Sequence, residues 1–115
     1  IVPRKPSVPD ILCAGGATVA VRMPNHPIAR QLIALAGGAL AATSANLSSR
    51  PSPVTAQEAI DDLIGRVALV LDGGPCPGGV ASAIVDLMTD PPILLRSGSL
   101  DEALRQVLPS LIVRT

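Results

Sequence analysis

The chain has 115 residues, enough for one small domain around a single core. At 48% hydrophobic and 16% charged it is too apolar to be disordered, and without Phe, Tyr or Trp its core must be Leu, Ile, Val and Ala. The missing rings remove stacking platforms for single-stranded nucleic acid, and zero formal net charge argues weakly against a dedicated nucleic-acid or anionic-membrane binder.

Residues 1–16 are rich in Pro and Gly, with turns at Val8-Pro9-Asp10 and Gly15-Gly16. The β-branched Thr18, Val19 and Val21 predict a strand over Thr18–Arg22, ended by Pro24. Asn25 is the expected N-cap of a helix with Pro27 in its first turn. Ile28, Leu32, Leu35 and Ala36 then keep helical spacing until Gly37-Gly38 stops them. Ala39–Ala42 is a short apolar run that predicts a buried strand. A polar loop follows, from Thr43 to Pro53. Thr55-Ala56-Gln57-Glu58 has the form of a capping box and opens a helix carrying Ala59, Ile60, Leu63 and Ile64, closed by Gly65.

Val67–Leu71 is a continuous apolar run of strand length, which predicts burial on both faces. Asp72-Gly73-Gly74-Pro75 is a turn. Ser82–Leu87 and Ile93–Arg96 are two more strands, joined by a tight connection at Asp90-Pro91-Pro92. Ser99-Leu100-Asp101-Glu102 has the form of a second capping box, starting a helix over Leu100–Leu108 that Pro109 breaks. Helices and strands alternate early and strands cluster late, which predicts a mixed α/β sheet with helices on its faces. Cys13 and Cys76 lack metal-ligand spacing, and a reducing, cytoplasmic setting is the expectation. No apolar run approaches the ~20 residues that span a bilayer. The chain begins Ile1-Val2-Pro3, without Met, so a piece of a longer fold is expected.

Four constellations could carry chemistry. Thr18 and Arg22, four apart on one strand, would share a face, where Arg22 could take a carboxylate; a solvated Arg beside a half-buried Thr is the alternative. Ser44, Asn46, Ser48 and Ser52 lie after a strand and before a helix, where loops of open α/β sheets bind ligands; ordinary turn chemistry is the alternative. The stretch Asp72–Gly79 has four glycines but no Lys-Ser/Thr, so it is not a Walker A loop. Ser82, Asp86 and Arg96 flank the late strands, with a surface arginine and a lone carboxylate as the alternative. His26, the only histidine, is expected in the cap region of a helix and not as a catalyst. No general-base pair, catalytic triad or transition-metal ligand set is visible.

Together, Thr18-Val19-Ala20-Val21-Arg22-Met23-Pro24-Asn25-His26-Pro27, Ser44-Ala45-Asn46-Leu47-Ser48, Leu71-Asp72-Gly73-Gly74-Pro75-Cys76, Ser82 with Ile84-Val85-Asp86, and Ile93-Leu94-Leu95-Arg96 resemble the YrdC-type threonylcarbamoyl-AMP synthases. The resemblance is strongest over residues 8–105 of a single partial domain, 1–115. It implies a YrdC-like twisted mixed sheet with flanking helices and a concave cationic cavity. It also implies an enzyme that joins L-threonine, bicarbonate and ATP into threonylcarbamoyl-AMP and pyrophosphate. The product would go to a downstream threonylcarbamoyl transferase complex that modifies tRNA adenosine.

Carried over by motif, Thr18, Ser44, Ser52 and Arg96 fall on ATP-contacting positions. Arg22, Ala42 through its backbone, and Ser82 fall on threonine-contacting positions. Asn46 would help hold the nucleotide or its metal, with Mg²⁺ bridging phosphates. Three positions depart from the family pattern: Ser49 where Gly is usual, Ala83 in place of the Thr of a Ser-Thr pair, and Ser97 in place of Pro in Arg-Pro-Gly. The family's Lys-x-Arg phosphate-binding motif has no counterpart before Thr18, so the N-terminal part of the domain is expected to be missing and the 115 residues alone to be poorly active. A non-catalytic module binding double-stranded RNA or tRNA, and the similar module of a hydrogenase-maturation carbamoyltransferase, are the alternatives.

Overall fold

A computed structural model describes residues 1–77 and 79–114. Gly78 of the glycine-rich stretch and Thr115, the end of the domain assigned above, lie outside the described residues. In chain order the elements are β1 (Val2–Pro3), β2 (Thr18–Val19), α1 (Pro27–Leu35), α2 (Ala56–Leu63), β3 (Ile84–Asp86), β4 (Ile93–Arg96), α3 (Asp101–Val107) and β5 (Ile112–Val113). The fold is α/β, as the sequence predicts. The chain forms two compact units: Ile1–Met23 with Val80–Thr115, and Pro24–Gly79.

The first unit holds all the strands found among the described residues. β1 pairs antiparallel with β2, and β4 pairs with β3 on one edge and β5 on the other. The β3–β4 ladder is antiparallel and the β4–β5 ladder parallel, so the sheet is mixed. Leu87 N–H donates to Ile1 O at 3.1 Å, tying the β1 segment to the end of β3. Leu94, in the middle of β4, is 1% exposed, and Leu111 before β5 is 8% exposed. Full burial of one such side chain stabilises by about 1.5–3 kcal/mol. The aliphatic core expected from the missing rings is centred there.

β4 matches its expected span, whereas β1 and β5 are too short for any sequence period to mark. The strand expected over Thr18–Arg22 stops at Val19, because β1 offers only two residues to pair with it. Arg22 therefore lies beyond the strand, and the shared-face argument for Thr18 and Arg22 does not hold. The strand expected over Ser82–Leu87 is confined to Ile84–Asp86. Ser82 precedes it and shares no strand face with Asp86.

In the second unit the helices start and stop by local chemistry. His26, not Asn25, is the N-cap of α1, with Pro27 in the first position. The residue before a proline is driven to extended backbone, which is the conformation an N-cap needs. At the other end, Gly37 at φ +99° and Gly38 at φ +98° close the helix. Gly38 N–H donates to Ile33 O and Gly37 N–H to Ala34 O, which is a Schellman pairing. α2 opens with the expected capping box: Glu58 N–H donates to Thr55 Oγ1 at 3.2 Å, and Thr55 N–H to Glu58 Oε2 at 3.2 Å.

Two expected strands are not formed. Ala39–Ala42 and Val67–Leu71 carry no strand pairing among the described residues. Nor is Val67–Leu71 buried on both faces, since Leu69 is 75% exposed. An apolar run has the composition of a strand, but a strand exists only where a neighbour takes its backbone hydrogen bonds. The second capping box also fails. Leu100 is the N-cap of α3 and makes no side-chain bond, while Asp101 Oδ1 accepts from Gly98 N–H at 2.8 Å. The carboxylate one position before Glu102 has captured the turn in place of Ser99.

The two hydroxyls separate in a stability measurement. Thr55→Ala is expected to lower unfolding free energy by about 1 kcal/mol, the usual loss of a bonded cap. Ser99→Ala should stay within about 0.5 kcal/mol of the parent. Denaturant midpoints of the two variants check this; equal losses would mean that both boxes form.

Candidate functional site

In the second unit, the polar loop between α1 and α2 is organised around Asn46. Its Nδ2 donates to Arg50 O at 2.7 Å and to Leu47 O at 3.1 Å. Its Oδ1 is buried and has no hydrogen-bond partner among the described residues. Arg50 N–H donates to Leu47 O at 3.1 Å, and Ser49 sits at φ +68°. That left-handed backbone suits glycine, the residue usual here in the family resembled, so Ser49 holds a turn a glycine would hold more easily.

The loop is fastened to α2 by Asp62. Asp62 Oδ2 accepts from Leu47 N–H at 3.1 Å, and Oδ1 accepts from Arg50 Nη1 at 2.6 Å. The carboxylate is 13% exposed against 60% for the Arg50 side chain. The Leu47 N–H, then the Arg50 guanidinium, hold the Asp62 carboxyl below its ordinary pKa by favouring the anion. Ser44, Ser48, Ser52 and Ala42 lie exposed along the same stretch. Ser44 O accepts from Thr43 Oγ1 at 3.2 Å.

In the first unit, Ser82 is the meeting point of two arginines. Arg22 Nη1 donates to Ser82 Oγ at 3.2 Å, and Arg96 Nε donates to Ser82 O at 2.8 Å. Residues 60 positions apart in the chain are thus joined. Arg96 ends β4 opposite Ile84, where the register shifts between Ile84 and Val85. Such a bulge re-aims a strand end. Gly98 packs on the backbone just past Ser82: a Cβ there would collide with Ala83 N. The ion pairs among the described residues are Arg4–Asp10 and Arg50–Asp62, so no carboxylate neutralises Arg22 or Arg96. Each guanidinium keeps further N–H groups free for an anion. Thr18 is half-buried in β2 of this unit.

The remaining candidates take structural parts. Asp86 Oδ1 accepts from Met88 N–H at 2.8 Å and closes a turn. His26 Nε2 donates to Gly73 O at 3.2 Å, across a contact where a Gly73 Cβ would lie 2.7 Å from the ring. Asp72 Oδ1 accepts from Gly74 N–H at 2.8 Å, and Cys76 N–H donates to Val54 O at 2.7 Å, so the described part of the glycine-rich stretch is a pinned turn. Cys13 and Cys76 are free thiols. Among the described residues, no three His, Cys, Asp or Glu side chains gather to hold a metal. Among the described residues, no helix is long and apolar enough to cross a membrane. Sequence reasoning missed Asp62, which sits 15 residues from Leu47 and 12 from Arg50 with no local pattern linking them.

Fold and polar clusters define an α/β protein with hydroxyls and with guanidinium groups that no described carboxylate pairs, beside its strand ends. The Sua5_yciO_yrdC family model, described as telomere recombination, matches residues 1–98, and the chain belongs to that family. It is 50% identical over 95 residues to the threonylcarbamoyl-AMP synthase of Schizosaccharomyces pombe, covering 83% of this chain and 23% of that protein. It is 46% identical over 101 residues to the Bacillus subtilis threonylcarbamoyl-AMP synthase, covering 87% and 29%. The crystal structure of Pyrococcus abyssi Sua5 complexed with L-threonine superposes with a TM-score of 0.91 at 41% identity, over 97% of this chain and 33% of that one. The chain thus spans about a quarter to a third of the length of these relatives.

Asp62 gives the fold an acid limb. Its folded-state pKa is lowered, so its contribution is complete above the unfolded aspartate value, about 3.9, and fades as pH falls through the lower folded value. Asp62→Asn is expected to be less stable than the parent at neutral pH and to close that gap below about pH 4. Unfolding followed by circular dichroism at stepped pH checks this; a gap independent of pH would remove the carboxylate from the account.

Proposed function

We propose that the protein is a threonylcarbamoyl-AMP synthase. One observation carries the reading: Arg22 and Arg96 converge on Ser82 with no acidic partner among the described residues, in a chain of this family. Threonine carries a carboxylate that a free guanidinium can clamp, and ATP carries phosphates that a second one can face. In this reading Arg22, Ser82 and the backbone of Ala42 hold L-threonine. Thr18, Ser44, Asn46, Ser52 and Arg96 hold ATP.

The threonine ammonium gives a proton to solvent, and the amine takes up bicarbonate with loss of water to become a carbamate. A carbamate oxygen then bonds to the α-phosphorus as the bond to the pyrophosphate oxygen breaks. The attacker is already anionic, so no side chain has to remove a proton for its attack on phosphorus. What the protein supplies is position and charge: donors that fix two substrates, and arginines that offset negative charge as it shifts to the leaving group. The donors present suit this division, being hydroxyls, a carboxamide and guanidinium groups.

Mg²⁺ fits the residues present as a passenger on ATP and not as a caged ion. Magnesium takes hard oxygen ligands and keeps several waters. Asn46 Oδ1 is such an oxygen, buried and unpartnered among the described residues. When bound, the ion would neutralise phosphate charge, with Asn46 accepting from its water shell. The product, a mixed anhydride, suits a transferase that passes the threonylcarbamoyl group to tRNA adenosine.

The test uses the protein expressed from its complete reading frame. Pyrophosphate release from ATP is expected to require both threonine and bicarbonate. Arg22→Ala should raise the threonine KM about tenfold to a hundredfold, the loss of one charged hydrogen-bond pair, and leave the ATP KM near the parent value. Equal loss for both substrates would remove the assigned role. Salt-sensitive binding of double-stranded RNA with no affinity for ATP or threonine would replace the synthase reading altogether.

A further inference from the structure

Asn46 offers its oxygen only because its amide hydrogens are occupied. Both go to carbonyls of one turn, those of Leu47 and Arg50. A carboxamide whose NH₂ is held this way has its Oδ1 aimed by the turn. Free to rotate, the side chain would present either atom. The question is what holds the turn. Ser49 sits within it in the left-handed region, a conformation that non-glycine residues leave readily when nothing enforces it.

The outside restraint is one carboxylate on the neighbouring helix. Asp62 takes the Leu47 N–H with one oxygen and the Arg50 guanidinium with the other, gripping the turn at both ends. Its own helix is anchored at the start by the Thr55–Glu58 box, and Glu58 Oε2 also accepts from Val54 N–H at 2.7 Å. We propose that Asp62 is a positioning residue for nucleotide binding: through Leu47 and Arg50 it fixes the turn that turns Asn46 Oδ1 toward the ligand. The ligand class is a nucleoside triphosphate with its divalent cation. That part rests on the synthase reading. The mechanical part, from Asp62 to the Asn46 side chain, does not.

Two halves of the grip are separable. Arg50→Ala removes one end and leaves Leu47 held. Asp62→Ala removes both. In the full-length protein, Asp62→Ala is expected to raise the KM for MgATP by about tenfold or more, with a smaller rise for Arg50→Ala and threonine KM unchanged in each. Asn46→Ala should raise it comparably, and the Asp62→Ala/Asn46→Ala double variant should be no worse than Asn46→Ala, because the two act on one contact. A fall in melting temperature or kcat with unchanged MgATP KM would show a purely structural Asp62 and overturn the proposal.

A second readout needs neither turnover nor a folded Asp62→Ala. Hydrogen exchange of the Asn46 side-chain amide, followed by NMR, is expected to quicken in Asp62→Asn, and by less in Arg50→Ala, relative to the parent. Unchanged exchange would overturn the positioning role. If the parent protein binds no MgATP, the nucleotide reading fails, and this exchange measurement still decides whether Asp62 and Arg50 hold the Asn46 side chain.

Discussion

The pairing of β4 on both of its edges is the constraint on which the first unit depends. A strand with two neighbours has its backbone donors and acceptors satisfied inside the fold, so its side chains can be apolar on both faces. Ile93-Leu94-Leu95 has that composition, and Leu94 is the most buried large side chain. Arg96 is the next residue. It leaves the core at the point where the β3–β4 register shifts, and its Nε turns back to the carbonyl of Ser82. The cation that faces a ligand in the proposed reaction is thereby an extension of the best-fixed strand in the unit. Gly98 completes the arrangement, since only a residue without Cβ lets the turn after β4 approach Ala83 so closely.

The second unit is held differently. It has no paired strands among the described residues, and its order comes from side chains that bond to backbone. Thr55 and Glu58 close the start of α2, Asp62 grips the Leu47–Arg50 turn, Asp72 takes Gly74 N–H, and His26 reaches Gly73 O. Each bond fixes a turn that an apolar contact could not, because hydrophobic attraction has no direction. A loop that must present polar atoms has to be built this way. Short carboxylate and amide links let it be rigid while its serines stay exposed.

Much of this was legible in the residues, for reasons that differ from place to place. β4 was legible because length, composition and flanking prolines agree. The end of α1 was legible because two glycines permit the left-handed closure. The two boxes show the limit: Thr55-x-x-Glu58 and Ser99-x-x-Glu102 have the same form, but only the first bonds, because Asp101 competes for the turn in the second. Ala39–Ala42 and Val67–Leu71 have the composition of strands and form none, because pairing is a property of neighbours and not of a segment. The candidate site was only partly legible. Spacing could not join Arg22 to Ser82, and the resemblance assigned them roles without saying that they touch. Asp62 was invisible to both, being one of two adjacent acids on a helix.

Position and charge alone then have to explain rate in the proposed chemistry. In the proposed chemistry the nucleophile is a carbamate, which is charged before it reaches phosphorus. The difficulty is then to hold one anion beside another. Repulsion between carbamate and triphosphate opposes the approach, and water screens it only while water remains between them. Guanidinium groups address this better than a base would, because they stay charged whatever the approach does to the local field. Serine and asparagine serve for a related reason: they donate or accept without adding charge of their own. In this reading the substrate asks for no acid–base pair, and the restraints on Arg96 and Ser82 are what the first unit contributes.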